Sequence, residues 1–261
     1  MIKNFDYNYH THTKRCHHAT GEDEEYILCA IENGVKHLGF SDHLPFLSKD
    51  GKSSLFRVAY SQGQEYYDTI NALREKYKDK IDILIGFESE YYPNDFGVML
   101  ETARKFKGEY LILGEHFCSS EYDGGKYTYA SEFNDSELKN YVDVLIAGME
   151  TGYFSYLAHP DIINFFPNEV YQREMARLCL ASKKLNIPIE VNLLGVRENR
   201  HYPNPAFWKV AGGIGAPVVV GCDAHKPCDV YNQDCITKAF DMIEEFDLNY
   251  IGRPKIIRID K

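Results

Sequence analysis

The chain has 261 residues, 44% of them hydrophobic and 26% charged, and a formal net charge of −10. That is enough apolar material for a large core, it argues against disorder, and the charge has the wrong sign for a broad nucleic-acid-binding face. No apolar run approaches the roughly 20 residues that span a bilayer, and Met1 to Asp6 lack the apolar core of a signal peptide. Seven cysteines without a C-x-x-C spacing read as free thiols of a reducing cytosol, none with a metal role. The expectation is therefore a cytoplasmic protein with no membrane or nucleic-acid partner. With no repeat, low-complexity tract or Gly/Ser linker to mark a boundary, residues 1–261 are expected to form one domain.

Phe5 to Tyr9 alternates as a short first strand and runs into His10-Thr11-His12, with His18 six residues on. Strand side chains alternate between faces, so both imidazoles of an H-x-H share one face and form a chelating pair for a divalent metal. The acidic run Gly21-Glu22-Asp23-Glu24-Glu25 suits a helix N-terminus, and Asn33-Gly34 suits its end. Val35 to Phe40 is a second strand opening into Ser41-Asp42-His43, followed by a polar loop with Pro45, Gly51 and Arg57 and a helix over 61–80. The apolar run Asp82 to Phe87 is a buried strand ending in Glu88-Ser89-Glu90. A helix over 96–106 leads to the strand Tyr110 to Gly114, which ends in Glu115-His116. Residues 119–134, rich in Tyr and Gly, read as a loop over the site. A helix over 136–150, a strand over 154–158 ending in His159-Pro160-Asp161, and a helix over 168–185 follow. The strand Ile189 to Asn192 opens into a polar loop, Gly195 to His201, and Asn204-Pro205 is a good N-cap and first-turn pair. The strand Pro217 to Gly221 ends in Cys222-Asp223-Ala224-His225, and a last helix covers 231–246.

Seven alternations of strand and helix imply a parallel sheet covered by helices, open or closed into a barrel. An open dinucleotide-binding sheet would want a glycine fingerprint after the first strand, and His10-Thr11-His12 stands there instead. In a barrel, catalytic residues gather from the carboxyl ends of several strands. Here six of the seven strand ends carry His, Glu or Asp: His10, His12 and His18, then His43, Glu88, His116, His159, and Asp223 with His225. Buried imidazoles and carboxylates are costly unless paired or metal-bound. Nine nitrogen and oxygen donors exceed the needs of one metal and suit two or three. The absence of thiolate fits zinc, iron or manganese.

These motifs in this order resemble the polymerase and histidinol phosphatase (PHP) family. The residues that carry the resemblance are His10-Thr11-His12, His18, Ser41-Asp42-His43, Gly86-Phe87-Glu88, Gly114-Glu115-His116-Phe117, Ala158-His159-Pro160-Asp161 and Cys222-Asp223-Ala224-His225. The resemblance implies a distorted (β/α)7 barrel of the TIM-barrel type, a trinuclear site and phosphoesterase chemistry, and it assigns the ligand role to the same nine positions. Asn192 to Arg197, with Tyr202-Pro203 after it, resembles the histidinol-phosphatase branch. The implied activity is hydrolysis of a small phosphorylated metabolite, L-histidinol phosphate foremost. The rivals are another small phosphate ester such as a nucleotide, and a non-enzymatic metal-binding module. Asp223, His225 and Arg197 are the expected catalytic residues. Arg197 is expected to clamp phosphate with a planar fork, and Arg57 is a second candidate for that role. Glu90 and Glu115 are candidates for a substrate amine, and Glu115 could equally orient a ligand histidine. Arg200 and His201 rank below these two as phosphate clamps, His17 reads as a bystander beside His18 and His37 as structural, and Tyr122, Tyr127 and Tyr129 are either a lid or loop packing.

Overall fold

The computed structural model describes residues 5–259; the expectation for Met1 to Asn4 lies outside them. Eight strands, β1 Tyr7–Asn8, β2 His37–Phe40, β3 Asp82–Ser89, β4 Tyr110–Leu113, β5 Phe154–Leu157, β6 Ile189–Asn192, β7 Pro217–Gly221 and β8 Asn249–Tyr250, pair in parallel in chain order. Eight helices cover them: α1 Asp23–Glu32, α2 Gly63–Tyr77, α3 Phe96–Lys105, α4 Asp135–Glu150, α5 Glu169–Leu185, α6 Leu193–Arg197, α7 Pro205–Ile214 and α8 Gln233–Glu245. Strands β4 to β7 are buried along their whole length. That is why β4 and β7 read as continuous apolar runs and not as alternations.

The barrel closes at a split seam. The segments just past β1 and β7 join through a bridge between Thr11 and Ala224, with His12 N donating to Ala224 O at 2.9 Å and Ala224 N to His10 O at 3.1 Å. Below it, side chains replace backbone: Asn8 Oδ1 accepts from Cys222 N at 3.1 Å, and the Tyr7 hydroxyl accepts from Val220 N at 3.3 Å. The lower end of β7 turns instead to β8, pairing Pro217 with Asn249 and Val218 with Tyr250. This is the expected distorted barrel, with an eighth strand that the sequence pattern does not announce.

A second difference positions the site. The expected loop from Gly195 begins as the short helix α6, capped by Asn192, whose Oδ1 accepts from Gly195 N at 3.2 Å. Asn204 caps α7 as expected, accepting from Ala206 N at 2.9 Å, with Pro205 in the first turn. Among the described residues, no helix is long and apolar enough to cross a membrane.

Candidate metal centre

All nine expected ligands converge at the carboxyl end of the barrel, around Glu88. Its Oε1 lies 2.8 Å from His159 Nε2 and 3.5 Å from both His10 Nε2 and His116 Nε2. Its Oε2 lies 3.4 Å from His12 Nε2 and 3.3 Å from His43 Nδ1. Asp223 Oδ1 is 3.1 Å from His12 Nε2, 3.5 Å from His10 Nε2 and 3.3 Å from His225 Nδ1. His18 and His43 face each other at 3.3 Å between their Nε2 atoms. His10, Glu88 and His159 bring their donor atoms within 4.8 Å of one another, and so do His10, His12 and Asp223, His12, His43 and Glu88, and His18, His43 and His225. Cys16, given no metal role from sequence, also brings its thiol within 4.8 Å of donors on His12 and His225.

Behind three of the imidazoles stands a carboxylate that fixes the ring. Glu190 Oε1 lies 2.9 Å from His10 Nδ1, Asp42 Oδ1 3.4 Å from His12 Nδ1, and Glu90 Oε1 3.0 Å from His116 Nδ1. Such carboxylates keep the proton on Nδ1 and turn the Nε2 lone pair inward. Glu190 was missed in the sequence, although a carboxylate inside an apolar strand is the signal that could have found it. Gly221 makes room for it: a Cβ there would fall 1.7 Å from Glu190 Oε1.

The centre fits divalent cations on its own terms. Its donors are imidazole and carboxylate, 0–3% exposed at His10, His12, His43, Glu88, His159 and Asp223. Several inward atoms have no hydrogen-bond partner among the described residues: His10 Nε2, His43 Nδ1, Glu88 Oε2 and Asp223 Oδ1. Buried polar atoms are ordinarily satisfied, so a group of orphans facing one point marks a place for an ion. Burial alone would raise the carboxyls of Glu88 and Asp223. Instead His116 and His10 hold Glu88, and His10, His12 and His225 hold Asp223, well below the usual carboxylate range. Both carboxylates are thereby held in the anionic form that a cation site needs. The backbone is strained here too: His159 and Asp223 sit at φ 29° and 46°, which non-glycine residues rarely adopt.

A cavity of about 610 Å³ opens on this cluster, walled by Phe56, Phe117, Tyr127, Leu194 and Tyr202 and carrying the guanidinium of Arg200. Arg200 lies over the Tyr129 ring at 4.8 Å, donates to Tyr202 Oη at 2.9 Å and pairs with Glu198 Oε2 at 2.6 Å. The arginine assignment made from sequence is corrected by this geometry. Arg197 does not line the cavity. Where α6 replaces the expected loop, its guanidinium turns back to the carbonyls of Cys222 and Asp223, at 3.4 and 3.2 Å, and to Asp229 at 3.2 Å. It lines a smaller recess beside His18 and His225 and holds the strained Asp223 backbone. Arg57 is not presented to substrate either: it is 1% exposed and committed to Glu90 and Glu121. Glu90 and Glu115 are buried and line no part of this cavity; Glu90 orients His116, the role considered for Glu115, while Glu115 accepts from Tyr91 N at 3.0 Å. Of the three tyrosines, Tyr127 lines the cavity, Tyr129 supports Arg200, and Tyr122 bolts loops together by accepting from Ser54 N and donating to Phe46 O, both at 2.7 Å.

A family model described as the PHP domain matches residues 8–193. The chain belongs to the PHP domain family. It is 25% identical over 232 residues to a probable histidinol-phosphatase of Deinococcus radiodurans, covering 85% of this chain and 86% of that protein. It is 22% identical to the histidinol-phosphatase of Lactococcus lactis subsp. lactis, covering 100% and 97%. Among solved structures it is similar to the Lactococcus lactis histidinol phosphate phosphatase complexed with zinc, L-histidinol and phosphate, with a TM-score of 0.72, 17% identity and 98% of each chain covered. The distorted barrel expected from sequence is thus the fold of this PHP domain. Its matched stretch ends at the start of α6, before β7 and the ligands Asp223 and His225.

Proposed function

We propose that this PHP domain is a metal-dependent phosphomonoesterase that hydrolyses L-histidinol phosphate to L-histidinol and phosphate, in the cytoplasm, with two or three zinc, iron or manganese ions per chain. The observation that carries the reading is the cluster of orphaned donors around Glu88 opening on a cavity that holds one guanidinium. His10, His12, Glu88 and Asp223 would hold one ion, Glu88, His116 and His159 another, and His18, His43 and His225 a third. When bound, such ions supply Lewis-acid charge and a water whose pKa approaches neutrality. Everything else falls to the chain. Glu190, Asp42 and Glu90 keep the ligand rings turned inward, Phe56 and Tyr127 exclude bulk water, and Arg200 offers a planar fork to phosphoryl oxygens. The histidinol-phosphatase relatives support this substrate. One observation favours a second reading, a PHP phosphoesterase acting on another small ester such as an aryl phosphate or nucleotide: among the described residues, Asp223 is the only carboxylate lining the cavity, so none is spare for a substrate amine.

Protein reconstituted with manganese, iron or zinc is expected to carry two to three metal ions by elemental analysis, and less than one per chain would remove the reading. Steady-state kinetics of that protein on a panel of phosphomonoesters is expected to give the highest kcat/KM for L-histidinol phosphate. A higher value for a nucleotide or aryl phosphate would select the second reading.

Both arginines are expected to matter, one through the backbone and one through the cavity. Arg197→Ala acts through the Asp223 backbone, so kcat/KM should fall alike for L-histidinol phosphate and a generic aryl phosphate. Loss of one charge-assisted group costs about 1.5–3 kcal/mol, or roughly ten- to more than a hundredfold. Arg200→Ala should cost a similar amount, with Arg200→Lys keeping part of the activity because the charge remains without the fork. A loss in Arg197→Ala confined to one substrate would mean that its guanidinium turns into the cavity.

A further inference from the structure

Behind the candidate metal centre lies a buried charge cluster of which the proposed chemistry uses only Glu90. Arg57 comes from the loop after β2, Glu90 from the end of β3, and Glu121 from the loop after β4. Arg57 Nη1 is 2.7 Å from Glu90 Oε2. Its Nε donates to Glu121 Oε1 at 2.5 Å and its Nη2 to Glu121 Oε2 at 3.2 Å. The Tyr92 hydroxyl, 3.4 Å from Nη2, donates to the same Glu121 oxygen at 3.1 Å. Arg57 and Glu90 are 1% exposed or less. A buried carboxylate is stable only while paired. The other oxygen of Glu90 accepts from His116 Nδ1 at 3.0 Å, on the far side of the ring from Glu88. Without its cation, Glu90 would turn toward a new partner. Its grip on the ring would then loosen.

We propose that Arg57 is a positioning residue for the metal centre: it pins the Glu90 carboxylate against His116 Nδ1, and so keeps His116 Nε2 turned inward, where it would serve as a ligand. This rests on His116 being a ligand. Phe56, its chain neighbour, packs on the rings of His43 and His116 at 4.4 and 5.0 Å. A displaced Arg57 is therefore felt on both sides of the imidazole cluster.

The test is titration of full-length, metal-stripped protein with cobalt(II), followed by its visible spectrum and by competition with a chelator. In Arg57→Met, affinity for the weakest-held cobalt ion is expected to fall about ten- to a hundredfold, the range seen when an outer carboxylate of a metal site is lost. Its spectrum should change as a histidine leaves. Arg57→Lys, which keeps the charge, should recover part of the affinity. Glu90→Gln should weaken cobalt binding at least tenfold. Glu121→Gln, which touches the same guanidinium but not Glu90, should leave the spectrum unchanged. Equal losses in Glu121→Gln and Glu90→Gln would reduce Arg57 to general packing and overturn the proposal. So would wild-type affinity in folded Arg57→Met. If Arg57→Met does not fold, Glu90→Gln decides: wild-type affinity there overturns the proposal and weakened binding supports it. Failure of the wild-type protein to bind cobalt would instead overturn the metal centre itself.

Discussion

Glu88→Gln is expected to abolish most turnover and to strip the centre of metal. The two oxygens of Glu88 reach five imidazoles, those of His10, His12, His43, His116 and His159, within 2.8–3.5 Å. Gln keeps the shape but removes the charge, and it turns one acceptor into a donor aimed at ligand nitrogens. Removing one partner of a buried charge network costs roughly 3–5 kcal/mol. In kcat/KM that is on the order of a hundred- to several-thousandfold. Elemental analysis and kinetics on the same preparation check it. Full metal content with turnover within a few fold of wild type would mean that the ions do not share this carboxylate.

Gly114→Ala should produce nearly the same loss without touching a charge. A Cβ at Gly114 would lie 2.0 Å from Glu88 Oε1 and 2.7 Å from its Cδ. A flexible carboxylate at a surface would simply swing away, but Glu88 is 1% exposed and wedged among the five rings. Either the carboxylate leaves its position or β4 moves and carries His116 with it. Both outcomes break a geometry on which ångström-scale errors cost about a hundredfold. Gly97→Ala is the control: its Cβ meets nothing within 4 Å on helix α3, so it should be neutral or stabilise by about 0.5–1 kcal/mol. Thermal melts, metal content and kcat/KM of the two variants side by side are the measurement. Wild-type values for Gly114→Ala would show that Glu88 has a second acceptable position.

The convergent cluster was readable in the sequence because a parallel barrel writes it at intervals. Most of the buried strands are apolar runs that end abruptly in a residue too polar for its surroundings, as Phe87 gives way to Glu88 and Ala158 to His159. What surrounds the ligands was less readable. Glu190 sits within its strand, so nothing punctuates it, and its role depends on His10, 180 residues away. Glu90 and Glu115 are both carboxylates beside a strand end, and which one reaches His116 is decided by backbone direction after the strand. The arginines were misjudged for a similar reason. Once Asn192 caps a helical turn over Leu193–Arg197, Arg197 is rotated toward β7, and Arg200 reaches the cavity. Strand β8, two residues long, is below what any periodicity can register.

The split seam gives this barrel an unusual dependence on its own far end. His10 and His12 lie just past β1, yet the backbone that aligns them belongs to Ala224, and the side chains that seat β1 grip Val220 and Cys222. A fragment trimmed at residue 193, where the family match stops, would lose more than Asp223 and His225. It would also expose the open edge of β6 and leave the first two histidines on a strand with a neighbour on one side only. The His10–His12 pair is thus aligned only by a long-range closure that joins distant parts of the polypeptide. Metal capture would report completion of the whole ring, so an ion-binding dye could serve as a folding probe for a barrel whose strands are otherwise spectroscopically alike.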